Sequence, residues 1–161
     1  MNTVTHRWMP LAQRAVRALE TLQPLALLWA RLYVAQVFFL SGLTKLRDWD
    51  TTLALFADEY KVPLLPTGLA AVMGTGGELV LPLLLALGLF GRFAALGLFV
   101  VNAVAVISLA DIQPAALQQH QFWGSLLVGL ILWGPGKWSL DALFFSRLWS
   151  AYRLRPSTAA R

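Results

Sequence analysis

The chain predicts an all-α polytopic membrane protein, a four-transmembrane-helix bundle with an interfacial amphipathic helix at its N- and C-terminal ends. Three observations carry that prediction. Of the 161 residues, 58% are hydrophobic and 13% charged, where a soluble domain has roughly 45 to 50% apolar and 25% charged residues. Four segments approach the roughly 20 apolar residues that a helix needs to cross about 30 Å of hydrocarbon. The basic residues also gather on one side of those segments, as cytoplasmic flanks do.

Residues 1–23 read as a helix lying in the cytoplasmic interface. Trp8, Leu11, Ala12, Ala15, Leu19 and Leu22 fall on one arc, and Gln13, Arg14, Arg17, Glu20 and Thr21 on the other. They are not a signal peptide, because the apolar stretch that follows has full span length and no small-residue cleavage site comes after it. The first span is placed at 25–46. Leu53, Phe56 and Tyr60 then suggest a short surface helix that ends before Pro63.

Spans at 66–90 and 93–111 are separated only by Gly91-Arg92 and must form an antiparallel hairpin. A fourth span, 115–134, is needed to complete the bundle. Its unbroken apolar run from Phe122 to Trp133 would rise only about 18 Å, so it must take in Gln118, Gln119, His120 and Gln121 at one membrane face. After Gly134-Pro135-Gly136, Ser139 can cap a closing amphipathic helix with Asp141 in its first turn and Leu140, Leu143, Phe144 and Leu148 at helical spacing. The tail from Pro156 is read as frayed.

Both termini are placed in the cytoplasm. Arg7, Arg14, Arg17, Arg31, Arg92, Lys137, Arg147, Arg153, Arg155 and Arg161 then lie inside, and only Lys45, Arg47 and Lys61 lie outside. This bias accounts for the net charge of +5 without any nucleic acid. With no cysteine, thiol redox, iron-sulfur ligation and sulfur-bound zinc are excluded. No metal site is expected, and His6 and His120 fall at opposite faces, which excludes bis-histidine haem within the chain.

Ionisable groups inside a bilayer cost a few kcal/mol unless protein or water receives them. Glu78 lies halfway along the second span beside Gly74, Gly76 and Gly77, with Gln36 and Asn102 at a similar depth. A polar layer of Gln36, Glu78 and Asn102 is expected. In it Glu78 is either a proton-exchanging acid with a raised pKa or a neutral acid that glues helices together. Lys45 and Glu78 lean toward each other on antiparallel helices, across a gap that water, a ligand or a tilt must close. This suggests a pocket floored by Glu78 and rimmed by Lys45 and His120. The alternatives are that Lys45 snorkels to phosphate and that His120 is an ordinary interfacial residue. Arg31 either snorkels or pairs with Asp141.

Three stretches carry a family resemblance. Arg31-Leu32-Tyr33 through Phe38-Phe39-Leu40-Ser41-Gly42-Leu43-Thr44-Lys45-Leu46 resembles the first helix of the DoxX family. Glu78-Leu79-Val80-Leu81-Pro82 through Gly91-Arg92-Phe93 resembles its second and third helices, and Gly134-Pro135-Gly136-Lys137-Trp138-Ser139-Leu140-Asp141 is similar to its closing motif. Together they span roughly residues 30 to 144. The resemblance implies a bacterial inner-membrane protein linked to oxidoreduction. Relatives are named as small membrane subunits of a quinone-reducing sulfur oxidoreductase or as membrane partners of detoxifying redox enzymes, and others accompany the making of peptide-derived copper-binding products.

The leading reading is therefore an oxidoreductase-associated membrane subunit that binds a quinone or a similar lipid-soluble molecule. Glu78 and Lys45 are its catalytic candidates, with His120, Asn102, Gln36 and Arg31 as binding candidates. Glu78 would exchange the proton, and Lys45 or His120 would polarise a carbonyl. The rival is a scaffold that holds a partner in a redox or biosynthetic complex and does no chemistry. A solute carrier, which would have to form a homo-oligomer to build a path, comes third.

Overall fold

The structure of the protein, a computed structural model, describes residues 3–144, with side chains from residue 10 onward. Trp149, Leu148, the last four arginines and the tail from Pro156 lie outside the described residues. Five helices follow in order: α1 (Thr3–Arg47), α2 (Trp49–Asp58), α3 (Thr67–Leu87), α4 (Gly91–Ser108) and α5 (Pro114–Trp133). No strand is present among the described residues. Leu140 begins a further helical stretch that continues to Phe144.

Helix α1 joins what the sequence reading separates into an interfacial helix and a first span. It runs through Pro10 and Pro24 for 45 residues. Each proline removes one backbone hydrogen bond, but no glycine precedes Gly42, and Ala, Leu, Gln and Arg favour the helix on either side. Its first part stands clear of the bundle, every described side chain from Pro10 to Gln23 being exposed.

Helices α1 over Pro10–Arg47, α3 and α4 are long and apolar enough to cross a membrane. Helix α5 is the fourth long helix, and Gln118, Gln119, His120 and Gln121 dilute its apolar content. Helix α1 packs chiefly on α3, α3 on α4 and α4 on α5, while a smaller contact between α5 and α1 closes the ring. Val34, Phe38, Leu85, Ala94, Leu98, Leu127 and Leu130 form the core. The outward faces keep Leu32, Leu40, Val72, Leu83, Leu96 and Val100 about half exposed. In a soluble protein that belt would be an aggregation surface; here it is the face toward lipid.

Helix α2 starts where Asp48 caps it, accepting from the Thr51 N–H at 3.0 Å. The Thr51 hydroxyl donates to the other Asp48 oxygen, and these bonds hold the Asp48 carboxyl below its ordinary pKa. Phe56 then packs on Ala70 and Ala71 of α3.

The α3–α4 turn comes earlier than Gly91-Arg92. Gly88 adopts a left-handed φ of +65°, the Gly88 N–H reaches Leu85 O, and the Leu89 N–H reaches Leu84 O. That paired closure ends a helix at its glycine, so α4 can begin at Gly91.

Candidate functional site

The site grows from one close helix crossing. At Gly42 a Cβ would sit 3.1 Å from the Glu78 backbone carbon and 2.9 Å from Leu79 Cγ, so only glycine lets α1 and α3 approach this far. One turn beyond Gly42, the Lys45 ammonium meets the Glu78 carboxylate at 2.6 and 2.8 Å. It also donates to the Ser41 hydroxyl at 2.9 Å. The gap inferred from depth counting is closed by the crossing itself, and Lys45 does not snorkel away. The two side chains are only 17% and 10% exposed, so water screens the pair weakly.

The polar layer of Gln36, Glu78 and Asn102 does not form. Gln36 points off the bundle, exposed and without a side-chain hydrogen bond; on a helix seen from α3, it falls on the face opposite Val34 and Phe38. Asn102 is buried, but it serves α5: its Nδ2 donates to His120 O at 3.0 Å and its Oδ1 lies 2.8 Å from His120 Nδ1. Gly124 packs against it, a Cβ there falling 3.4 Å from Asn102 Nδ2, at contact distance. His120 thus joins Asn102 directly. It also lies near enough to Lys45 to interact with that charge, and it stands edge-on to Trp123 with ring centroids 5.0 Å apart.

Arg31 lies at the other end of the bundle, 2% exposed. It neither snorkels nor forms an ion pair with Asp141. Its guanidinium donates to Pro135 O at 2.6 Å, Trp138 O at 3.0 Å and Ala86 O at 3.1 Å. Asp141 instead caps α4, accepting from the Phe90 and Gly91 N–H groups at 2.9 and 2.8 Å. Ser139 accepts from the Ala142 N–H and so caps the closing helix as the sequence suggests. Close packing seals this end: a Cβ on Gly88 would fall 2.6 Å from Arg31 Nη1. Beside it lies an open cleft of about 970 Å³ lined by Pro24, Arg92, Phe93, Trp133 and Lys137, away from Lys45 and Glu78.

Four further participants gather at the Lys45 end. Ser41 is a fourth-neighbour partner of Lys45 and was legible from spacing alone. Tyr60 comes from the α2–α3 connection, where burial, then the charges of Glu78 and Glu59, raise its phenol above the ordinary value. Thr75 Oγ1 and Trp123 Nε1 are buried polar atoms without a hydrogen-bond partner. Such atoms are uncommon in a finished core. Thr75 precedes Glu78 by three residues, on the same face of α3. Taken together, the arrangement offers an ammonium, an indole N–H, an imidazole and a carboxylate within one bundle end.

Comparison with known proteins agrees with this architecture. The DoxX family matches residues 26–111, which include Arg31, Gly42, Lys45, Glu78 and Asn102. An uncharacterized membrane protein of Mycobacterium tuberculosis is 34% identical over 140 residues, covering 78% of this chain and 85% of its own. An uncharacterized protein of Haemophilus influenzae is 34% identical over 127 residues, covering 73% and 82%. No solved structure matches. The extent of the match, the apolar helices and the relatives agree, and the chain belongs to the DoxX family of membrane proteins.

Proposed function

We propose that this chain is an inner-membrane subunit of an oxidoreductase system that binds a quinone, or another lipid-soluble carbonyl compound, at the Lys45 end of its bundle. The observation that carries this reading is the shielded Lys45–Glu78 pair, with a buried, unpartnered indole N–H against His120 at the same end of the bundle. A carbonyl oxygen needs a donor within hydrogen-bond reach, and the Lys45 ammonium and Trp123 Nε1 supply that type of donor. The three Lys45 N–H bonds are already directed to Ser41 and Glu78, so a ligand must displace one of them. When it does, Glu78 loses part of its cationic partner and becomes the group that exchanges a proton. The chain has no redox side chain, so a quinone, when bound, supplies the electron chemistry, and this chain supplies only binding and proton handling.

In this proposal α5 is the fourth span and both termini are cytoplasmic; the separate interfacial helix expected at 1–23 is replaced by the leading half of the continuous α1. The excess of basic residues at that end supports the orientation, as do the exposed Trp29, Trp133 and Trp138 near Arg31. A reporter fused after Arg161 then reads out in the cytoplasm.

The test is quinone content after purification in mild detergent, with Glu78→Gln and Lys45→Met as variants. Glu78→Gln keeps an acceptor for Lys45 but cannot ionise; it should retain bound quinone while proton-coupled activity of the parent system falls. Retention of both quinone and activity removes the proton role. The second reading, a scaffold without chemistry, is favoured by one observation: Glu78 and Ser41 together take up all three Lys45 N–H bonds, and a buried pair of this kind can serve to specify packing. Absence of quinone from the purified protein, with a polypeptide retained, selects it.

A further inference from the structure

We infer that Asn102 fixes His120 as a hydrogen-bond acceptor, so that this side of the site recognises a ligand hydroxyl and not a ligand carbonyl. The argument starts from a group that has no choice of role. The backbone carbonyl of His120 can only accept, so the Asn102 atom 3.0 Å from it must be the amide nitrogen. The other amide atom, the oxygen, then faces His120 Nδ1 at 2.8 Å. Rotating the amide by half a turn would set two oxygens against each other and the NH₂ against the ring, so the orientation follows from chemistry alone.

An amide oxygen accepts, so Nδ1 must carry the proton. In neutral imidazole the other nitrogen, Nε2, is then bare and accepts. Nε2 has no partner in the protein, and it is not among the buried unpartnered polar atoms, so it is reachable. The packing supports a fixed ring: Asn102 is 5% exposed, and Trp123 stands edge-on to the imidazole.

This assignment divides the labour at the Lys45 end. His120 cannot polarise a carbonyl while neutral, because it presents a lone pair where a donor is needed; that role falls to the Lys45 ammonium. The ligand class matched by both is a lipid-soluble molecule carrying a hydroxyl, such as a phenol. Asn102 is a positioning residue that acts through His120. The ligand half of this inference rests on the reading of the Lys45 end as a binding site, whereas the position of the ring proton does not.

The experiment is ¹⁵N NMR of the histidine ring in lipid nanodiscs. His6→Gln leaves His120 as the one remaining histidine, and a bare ring nitrogen resonates far from a protonated one. The expected result is a neutral ring with Nδ1–H and a bare Nε2; a neutral ring with Nε2–H overturns the inference. Asn102→Leu removes the acceptor opposite Nδ1 and should release the tautomer to a mixture. Titration then compares phenol with anisole, its methyl ether. Phenol should move the Nε2 resonance and anisole should not, and Asn102→Leu should weaken the phenol response in proportion to the rings that become Nε2–H, about twofold for an even mixture. Equal shifts from both probes, or a shift from neither, overturn the recognition claim. Loss of quinone from the purified protein with an intact Nδ1–H ring defeats the quinone reading and leaves this one standing.

Discussion

Two cations are held inside this bundle, one near each end, and they are held in opposite ways. Arg31 gives N–H groups of its two terminal nitrogens to three backbone carbonyls, those of Pro135, Trp138 and Ala86, while its buried Nε has no partner. Lys45 gives its own to two side chains, Glu78 and Ser41. Backbone carbonyls cannot titrate or change rotamer, so the Arg31 end is fixed once folded. A carboxylate can gain a proton, and a hydroxyl can turn, so the Lys45 end can be rearranged by a ligand without moving a helix. The difference separates a structural clamp from a place where chemistry is feasible, although both look like a charge forced into an apolar helix.

The largest expected effect comes from breaking the clamp. Arg31→Met leaves three buried acceptors without donors at about 1 to 3 kcal/mol each and should lower stability by roughly 4 kcal/mol in detergent unfolding. No second substitution should rescue it, because its partners are backbone. Lys45→Met should cost about 3 kcal/mol by stranding the Glu78 charge. Here the double variant Lys45→Met with Glu78→Met should return most of that loss, since an apolar pair of similar volume is often neutral. Equal irreversibility at both sites in a double-mutant cycle would erase the contrast drawn between the two ends.

The smallest effect is a titration. Burial and the charges of Glu78 and Glu59 raise the Tyr60 phenol above its usual 10.0. The folded state therefore holds that proton more tightly than the unfolded chain, and stability falls as pH climbs from about 10 through the raised value. Tyr60→Phe should remove from the ultraviolet curve a component that titrates above the ordinary range. Glu78→Gln should bring that component part of the way back toward the ordinary value.

The architecture was largely legible because lipid imposes long apolar runs, and a length criterion finds them. Ser139 was also legible as a cap residue from its position, whereas Asp141, expected only as a first-turn acid or a partner of Arg31, caps α4. Depth counting brought Lys45 and Glu78 toward one level but left them apart, because it assumes parallel axes; Gly42 permits the crossing that joins them. Gln36 and Asn102 share a depth with Glu78 but not a direction, and rise per residue carries no azimuth. The role of Arg31 stayed hidden because its acceptors are main-chain oxygens, which every residue has and no sequence pattern marks. Tyr60 enters through the backbone path from α2, beyond the reach of any one helix's periodicity.

The uninterrupted course of α1 has a geometric meaning. At 1.5 Å per residue, its 45 residues extend for roughly 67 Å, about twice the thickness of a hydrocarbon core. The described side chains from Pro10 to Gln23 are exposed, so about half of that length has to stand beyond the hydrocarbon, as a direct extension of the span that the bundle holds.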